Sequence, residues 1–330
     1  MATGSFATVA GDVAVVRRRD GELTAVKLSD KTTPLADDGS NFSITRTAVV
    51  TREGGAIAAF WVDRGKLVRR VMDAAGSAQP AEVLAEDAEE YPPHAASVEG
   101  AGEAAAYVAR RTNKDGERRA RLWVDGKPTI DLSPDGSGAA SVYLVPLGPK
   151  KLAAVWMDQR SALAPIHAAF LDLAAAPTIE REGVAWIAPP SELSSLVSAV
   201  RVGEGLVALS ALPKDGSAFG LASLPVAVER PRDEAIWLDY PNGLDPAPVA
   251  PLSACGESLV VFVRPTARPI DAPKAMMLGT IDANGVVTER VEIARAARVD
   301  HVSAWGARDH GWVLWTADGR TRARRVRCGK

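Results

Sequence analysis

Arginine follows several short apolar runs in this chain of 330 residues, at positions where it would suit an anion site. The arginines concerned are Arg17, Arg64, Arg110, Arg160 and Arg264. A guanidinium group presents a planar fork of donors that matches a carboxylate, sulfate or phosphate. An alternative is structural, because Asp63 precedes Arg64 and Asp158 lies near Arg160, so that ion pairs between neighbouring units would use the same side chains. The sequence leaves both interpretations open and favours the structural one.

Two histidines and one aspartate are the candidates for acid–base chemistry. Asp300 and His301 come just before a segment of small residues, and His94 follows Tyr91-Pro-Pro in the equivalent place of another unit. Imidazole exchanges a proton near neutral pH, and it also binds metals. We favour solvated loop residues over a metal site here, so the sequence predicts no bound metal.

Trp186 precedes a loop with two consecutive prolines, where an exposed indole could stack on a sugar. Packing in the interior is the alternative. The sequence contains no G-x-S-x-G elbow, and it contains no Walker, Rossmann, EF-hand or H-E-x-x-H pattern. We therefore expect no cofactor.

A repeat positions these residues. Apolar runs recur along the whole chain at a spacing of about 50 residues. A strand of small residues precedes each central run, an amphipathic strand follows it, and a fourth segment often carries proline, which a sheet tolerates at its edge. This succession predicts an all-β fold, a β-propeller with four-stranded antiparallel blades.

The spacing predicts seven blades, and a six-bladed ring is the alternative. We expect one domain over residues 1–330. Its approximate blades are 6–38, 42–88, 94–133, 138–183, 194–239, 250–295 and 299–330. The last unit stops after its third strand, so its edge strand is either absent or supplied by residues 1–5.

Two units carry a family pattern. Ala154-Val-Trp-Met-Asp-Gln-Arg, followed by Ile166-His-Ala-Ala-Phe-Leu-Asp, resembles the V-W-x-D-x-R repeat of bacterial sialidase-like propellers, and Phe60-Trp-Val-Asp-Arg is a shortened version. The resemblance implies the propeller fold. It does not imply sialidase chemistry, since no motif supplies that family's arginine triad, its Tyr/Glu pair or its acidic catalyst, and the S-x-D-x-G-x-x-W box is absent.

Charge and composition narrow the class of protein. Lys and Arg number 39 and Asp and Glu number 41, and the formal charge of −2 argues against binding of nucleic acid through bulk charge. No apolar stretch is long enough to span a membrane, and no export signal is visible. We expect a cytoplasmic protein, or a periplasmic or secreted one if the chain has been trimmed. Cys255 and Cys328 are predicted to be free thiols, because the strand assignment places them far apart.

A well-marked repeat without a catalytic motif predicts a non-catalytic binding or interaction propeller, whose polar, arginine-rimmed face meets a protein or glycan partner. The alternative is a hydrolase or lyase that acts on an anionic saccharide or a similar ester in the central pocket. In that case Asp300, His301 or His94 would be the acid–base groups.

Overall fold

Antiparallel strands make up nearly all the regular structure of the protein. The computed structural model describes residues 5–17, 23–28, 36–37, 47–110, 117–159, 165–185, 195–214, 218–227, 235–238, 248–265, 273–318 and 320–328. Within these ranges the one helix is a short 3-10 turn, Glu53–Gly55. No helix in the described part of the chain is long and apolar enough to cross a membrane.

The first half of the chain forms three sheets. The first sheet contains β1 (Ser5–Ala10), β2 (Val13–Arg17) and β3 (Leu23–Lys27), and the short β4 (Ala36–Asp37) follows it. The second contains β5 (Ala48–Thr51), β6 (Ile57–Asp63), β7 (Lys66–Met72) and β8 (Glu82–Ala85). The third contains β9 (His94–Val98), β10 (Gly102–Arg110), β11 (Arg118–Val124) and β12 (Ile130–Asp131).

The second half of the chain forms four more sheets. They contain β13 (Ala139–Gly148), β14 (Lys151–Asp158), β15 (Ile166–Asp172) and β16 (Thr178–Ala185); β17 (Ser195–Val202), β18 (Gly205–Lys214), β19 (Ala218–Pro225) and β20 (Ile236–Trp237); and β21 (Val249–Ala254), β22 (Glu257–Pro265), β23 (Lys274–Ile281) and β24 (Val287–Ala296). The last contains β25 (Val299–Gly306), β26 (His310–Ala317) and β27 (Arg320–Arg327).

The sheets form a ring around one axis. The first strand of each sheet contacts the first strands of two other sheets, in the cyclic order β1, β5, β9, β13, β17, β21, β25 and back to β1. This arrangement confirms the predicted β-propeller with four-stranded antiparallel blades. Six sheets have four strands among the described residues, and β1–β3 form a sheet of three. The count of seven blades stays a prediction.

The hydrophobic core lies between the blades. The second strand of each blade has neighbours on both faces, which explains its almost continuous apolar sequence. Ala104, Ala106 and Val108 of β10 are fully buried and belong to the same cluster as Leu152 and Trp156 of β14 in the next blade. The apolar runs that recur in the sequence are thus the strands that form the interfaces between blades.

The beginning of the chain closes the ring onto its end. Ala36 and Asp37 of β4 pair with Thr321 and Arg320, so that β4 becomes the fourth strand of the last blade. This differs from the expectation that residues 1–5 supply that edge. In the turn between β1 and β2, the Asp12 carboxylate also accepts a hydrogen bond of 2.6 Å from Trp312 Nε1 on the last blade.

The prediction of free thiols is wrong, because Cys255 and Cys328 form a disulfide with their Cα atoms 5.3 Å apart. The sequence interpretation placed Cys255 within an inner strand, but it lies in the turn that links β21 to β22. Its N–H donates to the carbonyl of Ala307 in the last blade, at 3.2 Å. The two blades approach so closely here that a Cβ atom on Gly306 would overlap with the Ser253 carbonyl. Cys328, just after β27, reaches the same end of the ring.

We predict that this disulfide stabilises the ring. Its loss should lower the free energy of unfolding by about 2–4 kcal/mol, because the bridge restricts a long loop of the unfolded chain. Urea unfolding of the protein with and without a thiol reductant measures this difference. The variant with both Cys255→Ser and Cys328→Ser is the control and should not respond to reductant. Two titratable thiols in the untreated, denatured protein would contradict the prediction.

Candidate functional site

A channel runs along the axis of the ring. Its volume is about 990 Å³, and the innermost strands of all the sheets contribute to its wall. Six serine hydroxyl groups and two imidazoles are the polar side chains that characterise this wall. They belong to Ser97, Ser141, Ser198, Ser253, Ser258, Ser303, His94 and His301. Concave cavities of this kind are the usual ligand sites of folded proteins.

Small side chains on the innermost strands keep the channel open. The sequence of β9 is His-Ala-Ala-Ser-Val, and that of β21 is Val-Ala-Pro-Leu-Ser-Ala. Three of the channel serines, Ser97, Ser253 and Ser303, lie three residues before a glycine at or just after the end of the strand. This Ser-x-x-Gly spacing marks three of the six serines that line the channel.

His94 is held as a neutral hydrogen-bond donor. Its Nδ1 accepts a hydrogen bond of 3.1 Å from the N–H of Leu144, so the ring proton of the neutral form resides on Nε2. The Tyr143 ring packs against the imidazole, with 5.2 Å between the ring centroids. Burial lowers the pKa of His94 to about 4. At neutral pH this side chain therefore offers an N–H to a ligand rather than a positive charge.

His301 lies on the other side of the channel, on β25. A register irregularity in the pairing with β26 separates Val299 from His301, and the imidazole is 93% buried at the channel wall. The neighbouring Asp300 is not part of that wall, because it forms an ion pair with Arg298. Thus two of the three predicted acid–base candidates, His94 and His301, share one cavity, and Asp300 does not.

The described arginines of the predicted rim are not in the channel wall. Arg110 is 68% exposed and pairs with Glu89, with 2.8 Å between Nε and Oε1. Arg264 pairs with Glu289 at 2.7 Å. Arg64 occupies a turn with a left-handed backbone, φ 50°. The ion pair of Arg264 lies within its own blade and does not join neighbouring units. Both the structural and the ligand-binding interpretation of these arginines remain predictions.

Three predicted ligand-binding residues can be placed only in part or not at all. Arg17 ends β2, and its side chain is not among those the structure describes. Arg160 and Trp186 lie outside the described residues.

Three charged side chains also line the channel, those of Arg201, Glu257 and Arg308. Arg201 donates to the carbonyl of Gly203 at 2.8 Å and to that of Leu147. Glu257 forms a two-bond ion pair with Arg290. The described residues contain no group of three or more His, Cys, Asp or Glu side chains that could hold a metal ion. The polar groups that the channel offers are thus hydroxyl groups and imidazoles, together with the charged side chains of Arg201, Glu257 and Arg308.

No protein-family model and no curated protein matches the sequence. Solved structures match at the level of the fold. A variant of puromycin hydrolase gives a TM-score of 0.50 with 14% identity, over 100% of this chain and 54% of that chain. AofleA from Arthrobotrys oligospora gives 0.49 with 11% identity, over 92% and 88%. A Hadza microbial sialidase gives 0.42 with 13% identity, over 85% and 65%.

These comparisons correct the predicted function. The neighbour with a TM-score of 0.50, a variant of puromycin hydrolase, is an enzyme by its name. The expectation of a non-catalytic binding propeller is thereby overturned in favour of its alternative. At these identities the likeness shows the fold alone, and this chain spans 54% of the length of puromycin hydrolase. No substrate is carried over.

We predict that the stability of the protein falls between about pH 6.5 and pH 4 in part because of His94. The unfolded histidine binds a proton near pH 6.5, whereas the folded one resists it until about pH 4, so acid favours the unfolded chain. His94→Asn should remove about 2 kcal/mol of the loss that the native protein shows between about pH 7 and pH 4.5. Urea unfolding at the two pH values tests this. An equal loss in both proteins would contradict it.

Proposed function

We propose that this protein is a hydrolase that binds its substrate in the central channel and cleaves a glycosidic bond or an ester bond there. The observation that carries the proposal is the channel of about 990 Å³ with His94 and His301 in its wall. A cavity of this size accommodates a small substrate or a few sugar units. A glycan, one of the two predicted partner classes, fits this proposal as the substrate.

His301 is the proposed acid–base group. It would accept a proton from a water molecule as the water oxygen attacks the reacting carbon, and it would then return that proton to the departing oxygen of the substrate. The bond to the leaving group breaks, one oxygen–carbon bond forms, and no oxidant or reductant is needed. The buried position of His301 supports this role, since proton transfer is more selective where water is scarce.

His94 is the proposed stabilising group. Its neutral Nε2–H would donate to the oxygen on which negative charge develops, without the desolvation cost of a buried cation. The channel serines would orient the substrate through hydrogen bonds. The sequence predicted an anionic substrate that arginines at the rim would bind. Arg64, Arg110 and Arg264 lie outside the channel wall, so the proposal does not require an anionic group on the substrate.

The ring that builds this channel is proposed to have seven blades. β1 contacts β25 on one side and β5 on the other, and Val9 of β1 contributes to the channel wall. The three-stranded sheet β1–β3 thus occupies the place of a blade between its neighbours.

We also propose that the protein works in an oxidising compartment, because Cys255 and Cys328 form a disulfide.

We predict that the protein hydrolyses at least one member of a panel of chromogenic esters and glycosides. His301→Asn should lower kcat by about 100-fold or more, because the general acid–base group is lost. His310→Asn is the matched control, since His310 lies outside the channel wall and should leave the rate unchanged. Steady-state kinetics measure both variants.

Two outcomes would overturn the proposed function. One is a folded protein that hydrolyses no member of the panel. The other is hydrolysis that His301→Asn leaves at the native rate. Circular dichroism of each variant ensures that any loss of rate is not a loss of fold.

A further inference from the structure

A second cavity of about 310 Å³ lies away from the channel, between the last two blades. One wall comes from the end of β24, and the other from the adjoining ends of β26 and β27. The lining residues are Ala294, Arg295, Ala296, Trp315, Ala317, Asp318, Arg320 and Arg322. We call this cavity the arginine cleft, because three of its side chains are guanidinium groups.

The strand register explains why arginines collect here. Arg320, Arg322 and Arg324 alternate along β27 and therefore share one face, while Thr321 and Ala323 between them are buried on the other. Arg324 donates to the carbonyl of Ile293 at 3.0 Å and so connects β27 to β24. Arg320 and Arg322, on the same face of β27, border the gap between the blades.

The guanidinium groups of Arg320 and Arg322 differ in their contacts from those of Arg110 and Arg264, which form ion pairs with glutamates. Neither one has a hydrogen-bond or ion-pair partner among the residues that the structure describes. By contrast, Arg295 pairs with Glu292 at 2.7 Å, and the Asp318 carboxylate accepts a hydrogen bond from the backbone N–H of Arg298. Among the residues that line the cleft, three arginines stand against one aspartate, Asp318.

The cleft is also partly shielded from water. Trp315 contributes to its wall and is 96% buried, and Ala294, Ala296 and Ala317 supply apolar surface beside it. Charge–charge interactions are stronger beside such low-dielectric surface than in bulk water. Two neighbouring guanidinium forks suit the several oxygens of a tetrahedral anion better than the two of a single carboxylate.

We propose that the arginine cleft binds a phosphate or sulfate group, free or as part of a small molecule, through Arg320 and Arg322. The site is separate from the channel, so its ligand is not the substrate of the proposed hydrolase. The volume of the cleft leaves room for the anion and a small part of the molecule that carries it.

Isothermal titration with inorganic phosphate, sulfate and acetate at constant ionic strength tests the proposal. The native protein should bind phosphate or sulfate more tightly than acetate, and the tighter of the two tetrahedral anions names the ligand class. The double variant Arg320→Gln and Arg322→Gln should weaken that binding by at least about tenfold, because both forks are lost.

Two further variants keep the test sharp. Arg324→Gln is the control for loss of charge, since it removes one positive charge from the same strand outside the cleft lining and should bind as the native protein does. Arg322→Lys keeps the charge but loses the fork, so its affinity should be intermediate; it also replaces the double variant if that variant fails to fold. No binding of phosphate or sulfate to the native protein, equal binding of acetate, or unchanged binding in the double variant would overturn the proposal.

Discussion

Close packing between neighbouring blades is the constraint on which the rest of this structure depends. Each second strand is buried between two other blades, and each inner strand contacts the inner strands on both sides. Only small residues permit that approach, as the position of Gly306 against the Ser253 carbonyl shows. The same small residues leave an open axis, so that the packing rule of the core also creates the channel.

A ring of repeats must hold its first and last units together, and two separate interactions do so here, while a third joins the last two blades. β4 pairs with β27, Asp12 accepts a hydrogen bond from Trp312, and the disulfide joins the last blade to the one before it. The first two link residues that are about as far apart in sequence as the chain allows. They fix the circumference of the ring and hence the width of the channel.

Arginine serves two purposes in this protein, and pairing decides between them. Arg110 and Arg264 lie at or near the ends of second strands, and each forms an ion pair with a glutamate of another segment. Arg320 and Arg322 face a gap between blades in which the nearby carboxylates are already engaged. The residue type alone does not distinguish these situations. The distance to a carboxylate on another strand does.

The sequence by itself determined the all-β class and the blade-like repeat, because local periodicity is encoded in short segments. It named His94 and His301 as candidates but favoured solvated loop positions for them, and only the tertiary structure places both in the channel wall. Cys255 with Cys328, the partner of β27 and the pairing of Arg264 were decided by the tertiary structure alone. The disulfide and the pairing of β27 with β4 depend on which segments of different units meet, and the pairing of Arg264 with Glu289 depends on how the second and fourth strands of one blade align. That meeting follows from blade twist and ring closure, which no local pattern of residues encodes.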